Sequence, residues 1–369
     1  MELSEIIIER IKKKGPVPFR DFMEMALYED GLGYFTSGEH IIGKKGDFFT
    51  SPYISPAFGA MVAKQVIEFR EQIEDNFTIV EYGAGGGLLC HDILLYLKSR
   101  GISNLRYVII ERSPYLRKLS QRFLPRDVVY LENIEMLGSF RGCVISNELL
   151  DNFPVHRIIV TEDQLMEVYV DYRNGFKEIL KPASEDLCQY LDLDIFNLPD
   201  GFCAEICQDA ACWFDQISRF MEKGYILTID YGYHADELFQ SPRSGGTLRC
   251  YYKHHMHADP YINIGKQDIT ADVNFSLISY MGSLKGFEIA GYVNQSRFLR
   301  ALGFLPFLSD LKDSEENKLF VFDTLLHQMG SQFKVLLQRK GLPCRPLRGW
   351  NLEQPLEKKL VSSAIADHH

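Results

Sequence analysis

Short apolar runs, each ending in polar residues, recur through the first half of the chain at 77–81, 107–111, 128–131 and 143–146. Runs this short, bounded this way, predict buried strands. Between the first three, apolar positions fall at helical spacing over 91–98 and 115–123. A fifth run at 225–230 follows a predicted helix over 204–222. Strands alternating with helices predict an α/β fold whose core is a doubly wound, mostly parallel sheet.

Other segments depart from this pattern. Residues 156–180 alternate as antiparallel ribbon does, with turn signals at Glu162-Asp163 and Asn174-Gly175. They predict a hairpin inserted at the core's edge. The expected organisation is a helical and loop section over 1–75 and a core over 76–240, with the β insertion at about 156–200. A Gly/Ser-rich loop then opens a polar, His-rich, substrate-side insertion over 241–300. Residues 301–369 are read as one more strand–helix unit and a Pro-punctuated tail.

Candidate chemistry concentrates where the predicted strands end. The first runs into Glu81-Tyr82-Gly83-Ala84-Gly85-Gly86-Gly87, with a helix starting near Leu88. Glycines there permit positive φ and let backbone approach a ligand. A dinucleotide loop would need G-x-G-x-x-G, and counting from Gly83 puts Leu88 at its third glycine. The pattern E-x-G-x-G-x-G instead places Glu81 where it can neighbour the ammonium group of S-adenosylmethionine. Gly83, Gly85 and Gly87 are accordingly assigned to that cofactor. Glu111, at the second strand end, is placed to accept both ribose hydroxyls. Asn133, after Glu132 at the third, is a candidate for the adenine amino group. Each carboxylate also has a plainer reading as a solvated strand end.

The fourth strand leads into Asn147-Glu148-Leu149-Leu150-Asp151-Asn152-Phe153-Pro154. Ligands of open α/β sheets bind outside the carboxyl ends of the strands, so this corner should face the methyl donor. Asn147 is assigned to the cofactor. Glu148 and Asp151 are the candidate catalytic carboxylates, able to orient a guanidinium whose pKa exceeds ~12.

The net charge of −10 argues against nonspecific nucleic-acid binding. Eight cysteines form no CxxC pair, although Cys203, Cys207 and Cys212 fall near helical spacing. They read as small buried side chains of a reducing compartment. His254, His255 and His257 are consecutive loop residues and give little support to a metal site; none is assigned. There is no run of ~18 apolar residues and no leader pattern, so the expectation is a cytoplasmic protein without a membrane span. Oligomeric state is left open.

At these residues the sequence resembles the MidA-like S-adenosylmethionine-dependent methyltransferases, a family that includes a mitochondrial complex I assembly factor methylating a protein arginine. The resemblance runs over roughly 15–335, in blocks from Tyr28 to Phe35, Gly46 to Gly59, Val80 to Gly87, Glu111 to Arg117, Asn147 to Pro154, Ile229 to Gly232 and Asp268 to Ala271. It implies a Rossmann-like class I methyltransferase core and a lid formed by the Gly46-Asp47-Phe48-Phe49-Thr50-Ser51-Pro52 segment. Asp47 and Thr50 are therefore expected at the cofactor. It also implies a protein substrate with arginine as the favoured acceptor. A small-molecule methyltransferase and a catalytically lapsed assembly factor stand as alternatives. One block departs from the family pattern, His-Val-Asp-Phe, which here reads Asp272-Val273-Asn274-Phe275.

Overall fold

Seven strands form the central sheet of the computed structural model, which describes residues 2–38, 50–73, 76–162, 164–189, 198–240 and 243–350. In chain order they are β1 (Phe77–Tyr82), β2 (Arg106–Ile110), β3 (Val129–Leu131), β4 (Phe140–Asn147), β5 (Met221–Tyr233), β6 (Glu288–Asn294) and β7 (Phe333–Lys340). Their spatial order is β3-β2-β1-β4-β5-β7-β6. Strands β1 to β5 pair parallel, with Val80 opposite both Val108 and Val144. Strand β7 runs antiparallel to both β5 and β6. Val273–Asn274 adds a short parallel pairing at the end of β5.

Parallel strands are buried on both faces, which is why β1 and β2 read as continuous apolar runs. Successive residues point to opposite cores. Ile79, Ile109 and Ile145 pack with Phe58, Phe69 and Ile93 of the helices Pro56–Ile73 and Leu88–Ser99. Val80, Val108 and Val144 pack with Trp213, Phe214 and Phe275 of Asp209–Phe220 and Phe275–Leu284. We label six helices in chain order: α1 (Leu3–Lys14), α2 (Phe19–Tyr28), α3 (Pro56–Ile73), α4 (Leu88–Ser99), α5 (Asp209–Phe220) and α6 (Phe275–Leu284).

The β insertion is larger than the hairpin expected. His156–Thr161, Gln164–Tyr172 and Phe176–Pro182 form a meander, and Cys203–Ile206 and Val17–Pro18 complete a five-stranded sheet. Val17 pairs with Val170, so the chain's first segment closes an edge of a sheet made by residues far downstream. The helical section read as one unit over 1–75 therefore divides: α1 and α2 join the core of this second sheet, whereas α3 covers the central one. The predicted helix over 204–222 also divides. Cys203 lies on an edge strand and Cys212 on α5, so the three nearby cysteines share no helical face. Near the carboxyl end the order is helix then strand, with Glu315–Asp323 preceding β7. Residues 249–270 contribute a small three-stranded sheet, with His255–His257 on its edge. No group of residues able to hold a metal ion occurs among those described.

Candidate active site

Above the carboxyl ends of the parallel strands lies a cavity of about 530 Å³. Its floor is the turn from β1 into α4, including Glu81, Gly83 and Gly85. Gly83 has φ of +66° and lies against the β4 corner, where an added Cβ would meet Leu149 Cδ1 at 2.7 Å. Gly86 is constrained by closeness: a Cβ there would reach the Tyr53 hydroxyl at 2.4 Å. Gly87 is not on the wall. It takes φ of +84° as the N-cap of α4 and packs on Ser120 and Leu124, so it shapes the loop.

Three acids on this floor are held differently. Glu81 is only 2% exposed and accepts a hydrogen bond of 2.7 Å from the Tyr107 hydroxyl. Burial pushes its carboxyl up to about 7, with the Glu111 charge adding and the Tyr107 bond opposing. A cation beside it would restore the carboxylate. Glu111, just past β2, accepts from Gly85 N at 3.0 Å and from Ser113 N at 2.9 Å. Burial raises its pKa, and those amides work against the shift. It thereby ties the glycine loop to the second strand.

Glu148 follows the last residue of β4 with φ of +51°, a left-handed conformation uncommon for a residue with a Cβ. Its N–H donates to Ile229 O at 2.9 Å. One carboxylate oxygen, Oε1, accepts from Ser51 N at 3.1 Å and Asn147 Nδ2 at 3.2 Å. The side chain lines the cavity. Burial drives its pKa up to about 8, and the charges of Asp151 and Asp268 push the same way.

The other expected residues are placed unequally. Asn147 and Thr50 line the cavity. Asp47 lies outside the described residues. Asn133 is turned away: its Oδ1 accepts from Met136 N at 3.2 Å as the cap of the short turn Ile134–Met136, and its neighbour Glu132 reaches the wall instead. Asp151 also departs from expectation. It is 4% exposed, is not on the cavity wall, and its carboxyl meets Tyr231 behind the corner. Burial raises it to about 6.

The wall includes residues that carry no expected role. Helix α5 presents Asp209, Cys212, Trp213 and Gln216 in one stripe, at i, i+3, i+4 and i+7. That spacing is legible in the helix expected over 204–222. Helix α2 closes the opposite side with Glu24 and Tyr28. Arg20 donates to Asp209 at 2.5 Å, Glu24 pairs with Arg112, and the Tyr28 hydroxyl donates to Asn152 O at 3.1 Å. No local pattern points to these contacts, because each joins residues about ninety or more positions apart.

The altered family block is accounted for locally. Asn274 accepts from Leu277 N at 3.0 Å as the N-cap of α6, a task its amide oxygen performs as an Asp would. Asp272 pairs with Arg249 at 2.8 Å.

The donor set fits S-adenosylmethionine. Glu81 suits a cationic amino-acid end and Glu111 a diol. Asn147 Oδ1, on a wall residue, accepts no hydrogen bond among the described residues. The glycine loop leaves backbone, not side chains, at the floor.

Comparison with known proteins agrees with this geometry. A mouse mitochondrial protein arginine methyltransferase, NDUFAF7, is 26% identical over 98% of this chain and 89% of its own length. The Drosophila melanogaster homologue is 25% identical over 92% and 85%. A COG1565 superfamily protein of Burkholderia thailandensis, crystallised with S-adenosyl-homocysteine, superposes with a TM-score of 0.87 at 28% identity, covering 94% of each chain. These relatives correct the expectation of a cytoplasmic protein, since those named NDUFAF7 are mitochondrial. No helix among the described residues is long and apolar enough to cross a membrane. Residues 61–293, more than half of the chain, match the family described as "Putative S-adenosyl-L-methionine-dependent methyltransferase". The chain belongs to that family and is an S-adenosylmethionine-dependent methyltransferase.

Proposed function

We propose that the methyl group goes to an arginine side chain of a protein substrate, and that Glu148 receives the guanidinium. The observation that carries this reading is a cavity-wall carboxylate on a left-handed corner, with one oxygen already engaged by Ser51 N and Asn147. The cofactor supplies an electrophilic methyl on a sulfonium. A guanidinium must meet it in line, with one nitrogen's lone pair freed from delocalisation. A carboxylate that pairs with the remaining nitrogens orients the cation, draws its charge away from the reacting one and can take up the proton that nitrogen releases as the methyl is bound. The protein arginine methyltransferase activity named for the relatives supports the same acceptor.

We place Glu81, Asn147 and Gly83 at the amino-acid end of the cofactor and Glu111 at its ribose. Glu132 replaces Asn133 as the residue assigned to the adenine side, and Thr50 stays with the cofactor as part of the cover. Asp151 is reassigned from catalysis to support of the corner. The test uses tritiated S-adenosylmethionine, a library of arginine- and lysine-containing peptides, and acid hydrolysis of the products. Label is expected in methylarginine. Label confined to lysine or to small molecules overturns the reading.

A further inference from the structure

Three consecutive amides leave the sheet at the β4 corner, and two consecutive residues of β5 take all of them. Glu148 N donates to Ile229 O at 2.9 Å, the last bond of the parallel ladder there. Leu149 N and Leu150 N then both donate to Asp230 Oδ2, at 3.1 and 2.9 Å. The other oxygen, Oδ1, accepts from Tyr231 N at 2.9 Å. Successive N–H groups after a left-handed residue form a concave nest that suits an anion. Here the nest is filled by a side-chain carboxyl of the same protein, only 1% exposed, whose pKa burial and the nearby Asp151 and Glu148 charges raise while the corner amides oppose the shift.

Asp230 is not on the cavity wall and touches neither the proposed acceptor site nor the glycine loop's ligand face. Its position is nonetheless coupled to the wall. Glu148 is held at φ of +51°, a conformation a side chain with a Cβ disfavours unless its surroundings impose it. The residues on either side are what impose it. Asn147 ends β4 within the ladder, and Leu149 and Leu150 are fixed through Asp230. Without that acceptor two buried amides lose their partner and the corner relaxes toward an ordinary turn. Glu148 would then swing from the point where Ser51 N and Asn147 Nδ2 meet it. Leu149 also touches Gly83, so the corner is registered against the cofactor loop.

We infer that Asp230 is a positioning residue for methyl transfer, holding the left-handed corner that aims Glu148 into the cavity. This rests on the reading of Glu148 as the acceptor's partner. A structural role alone would lower stability and cofactor affinity together. Positioning predicts a split between kcat and cofactor binding, because a misplacement of about 1 Å can cost about a hundredfold in rate.

The experiment compares Asp230→Asn, Asp230→Ser and Glu148→Gln, measuring kcat with an arginine peptide and S-adenosyl-homocysteine affinity by calorimetry. Expected for Asp230→Ser is a kcat loss of about 10- to 100-fold, with affinity within about threefold of wild type, whereas Asp230→Asn, whose amide oxygen can still accept from both amides, loses less. For Asp230→Ser, equal losses in kcat and affinity, or none in either, overturn the inference. If Glu148→Gln keeps full activity, the reading of Glu148 fails first. If Glu148→Gln is inactive while the Asp230 variants turn over normally, only the positioning role fails. Amide hydrogen exchange on the wild-type protein provides a check that needs no variant. Leu149 and Leu150 amides as protected as those of β5 agree with the inference, and rapid exchange at both overturns it.

Discussion

Replacing Glu148 with Gln keeps shape and removes the charge on which the proposed acceptor site depends. In the free protein burial raises this carboxyl to about 8, well above its ordinary 4.5, with Asp151 and Asp268 adding and the Ser51 and Asn147 bonds opposing. At pH 7 about nine-tenths of the side chain is then neutral, since a group one unit below its pKa is ionised about one-tenth of the time. An arriving guanidinium favours the carboxylate, so binding releases a proton. The sign follows: kcat/KM rises about tenfold per pH unit below about 8 and levels off above it. Removing one partner of a buried, hydrogen-bonded charge pair costs about 2–5 kcal/mol. At about 1.4 kcal/mol per tenfold, that is a loss of roughly 30- to 5000-fold in kcat/KM on the plateau. The assay is initial-rate transfer of labelled methyl to an arginine peptide between pH 6 and 9.5, for both proteins. A variant within threefold of wild type, or one that retains the limb near 8, refutes the assignment. For stability the direction reverses. A raised folded-state pKa gives a contribution present below about 4.5 and lost as pH climbs through about 8. A Gln variant should therefore unfold at a higher temperature than wild type at pH 9, read by calorimetry.

Three further outcomes follow from single contacts. Tyr107→Phe removes the bond that stabilises ionised Glu81, so the acid limb of S-adenosyl-homocysteine binding should move upward from about 7; an unmoved midpoint in a pH series of titrations contradicts the placement of Glu81. Gly83→Ala places a methyl 2.7 Å from Leu149 in a backbone conformation that disfavours it, and should weaken cofactor binding more than tenfold by calorimetry. Asn274→Ala should lower stability by about 0.5–2 kcal/mol through loss of the α6 cap, whereas Asn274→Asp should not. Urea denaturation separates the two.

The parallel half of the sheet was legible because strands buried on both faces announce themselves as unbroken apolar runs, as residues 77–81 and 107–111 do. Glu81, Glu111 and Glu148 were expected at a ligand because carboxyl ends of such strands are where ligands lie, and all three line the cavity. Strand β7 was harder. Its direction is set by pairing with β5 and β6, which no local pattern records. The Cys203–Ile206 strand hid inside a helical reading because its pairing partner, His156–Thr161, lies over forty positions upstream. Asp151 and Asn133 show the same limit at the scale of side chains. Both sit at the correct strand end, but one carboxyl turns back toward Tyr231 and one amide is spent on a turn. Spacing can place a residue at a rim; which way it points is settled by its neighbours.

The pairing of Val17 with Val170 has a consequence for the order in which this molecule acquires its ligand pocket. As the polypeptide leaves the ribosome, α2 emerges early with Phe19, Phe22 and Met23 in need of cover. Their partners Val168, Val170 and Ile269 are synthesised much later. Until then, the side of the pocket built from Glu24 and Tyr28 has nothing to dock against. The roof can dock only once residues 164–172 have emerged, and the β4 corner can close only after β5 has followed them. A cofactor that touches both would favour the docked arrangement by mass action. Newly made protein should thus be more fully docked, and so more resistant to proteolysis, where that cofactor is abundant.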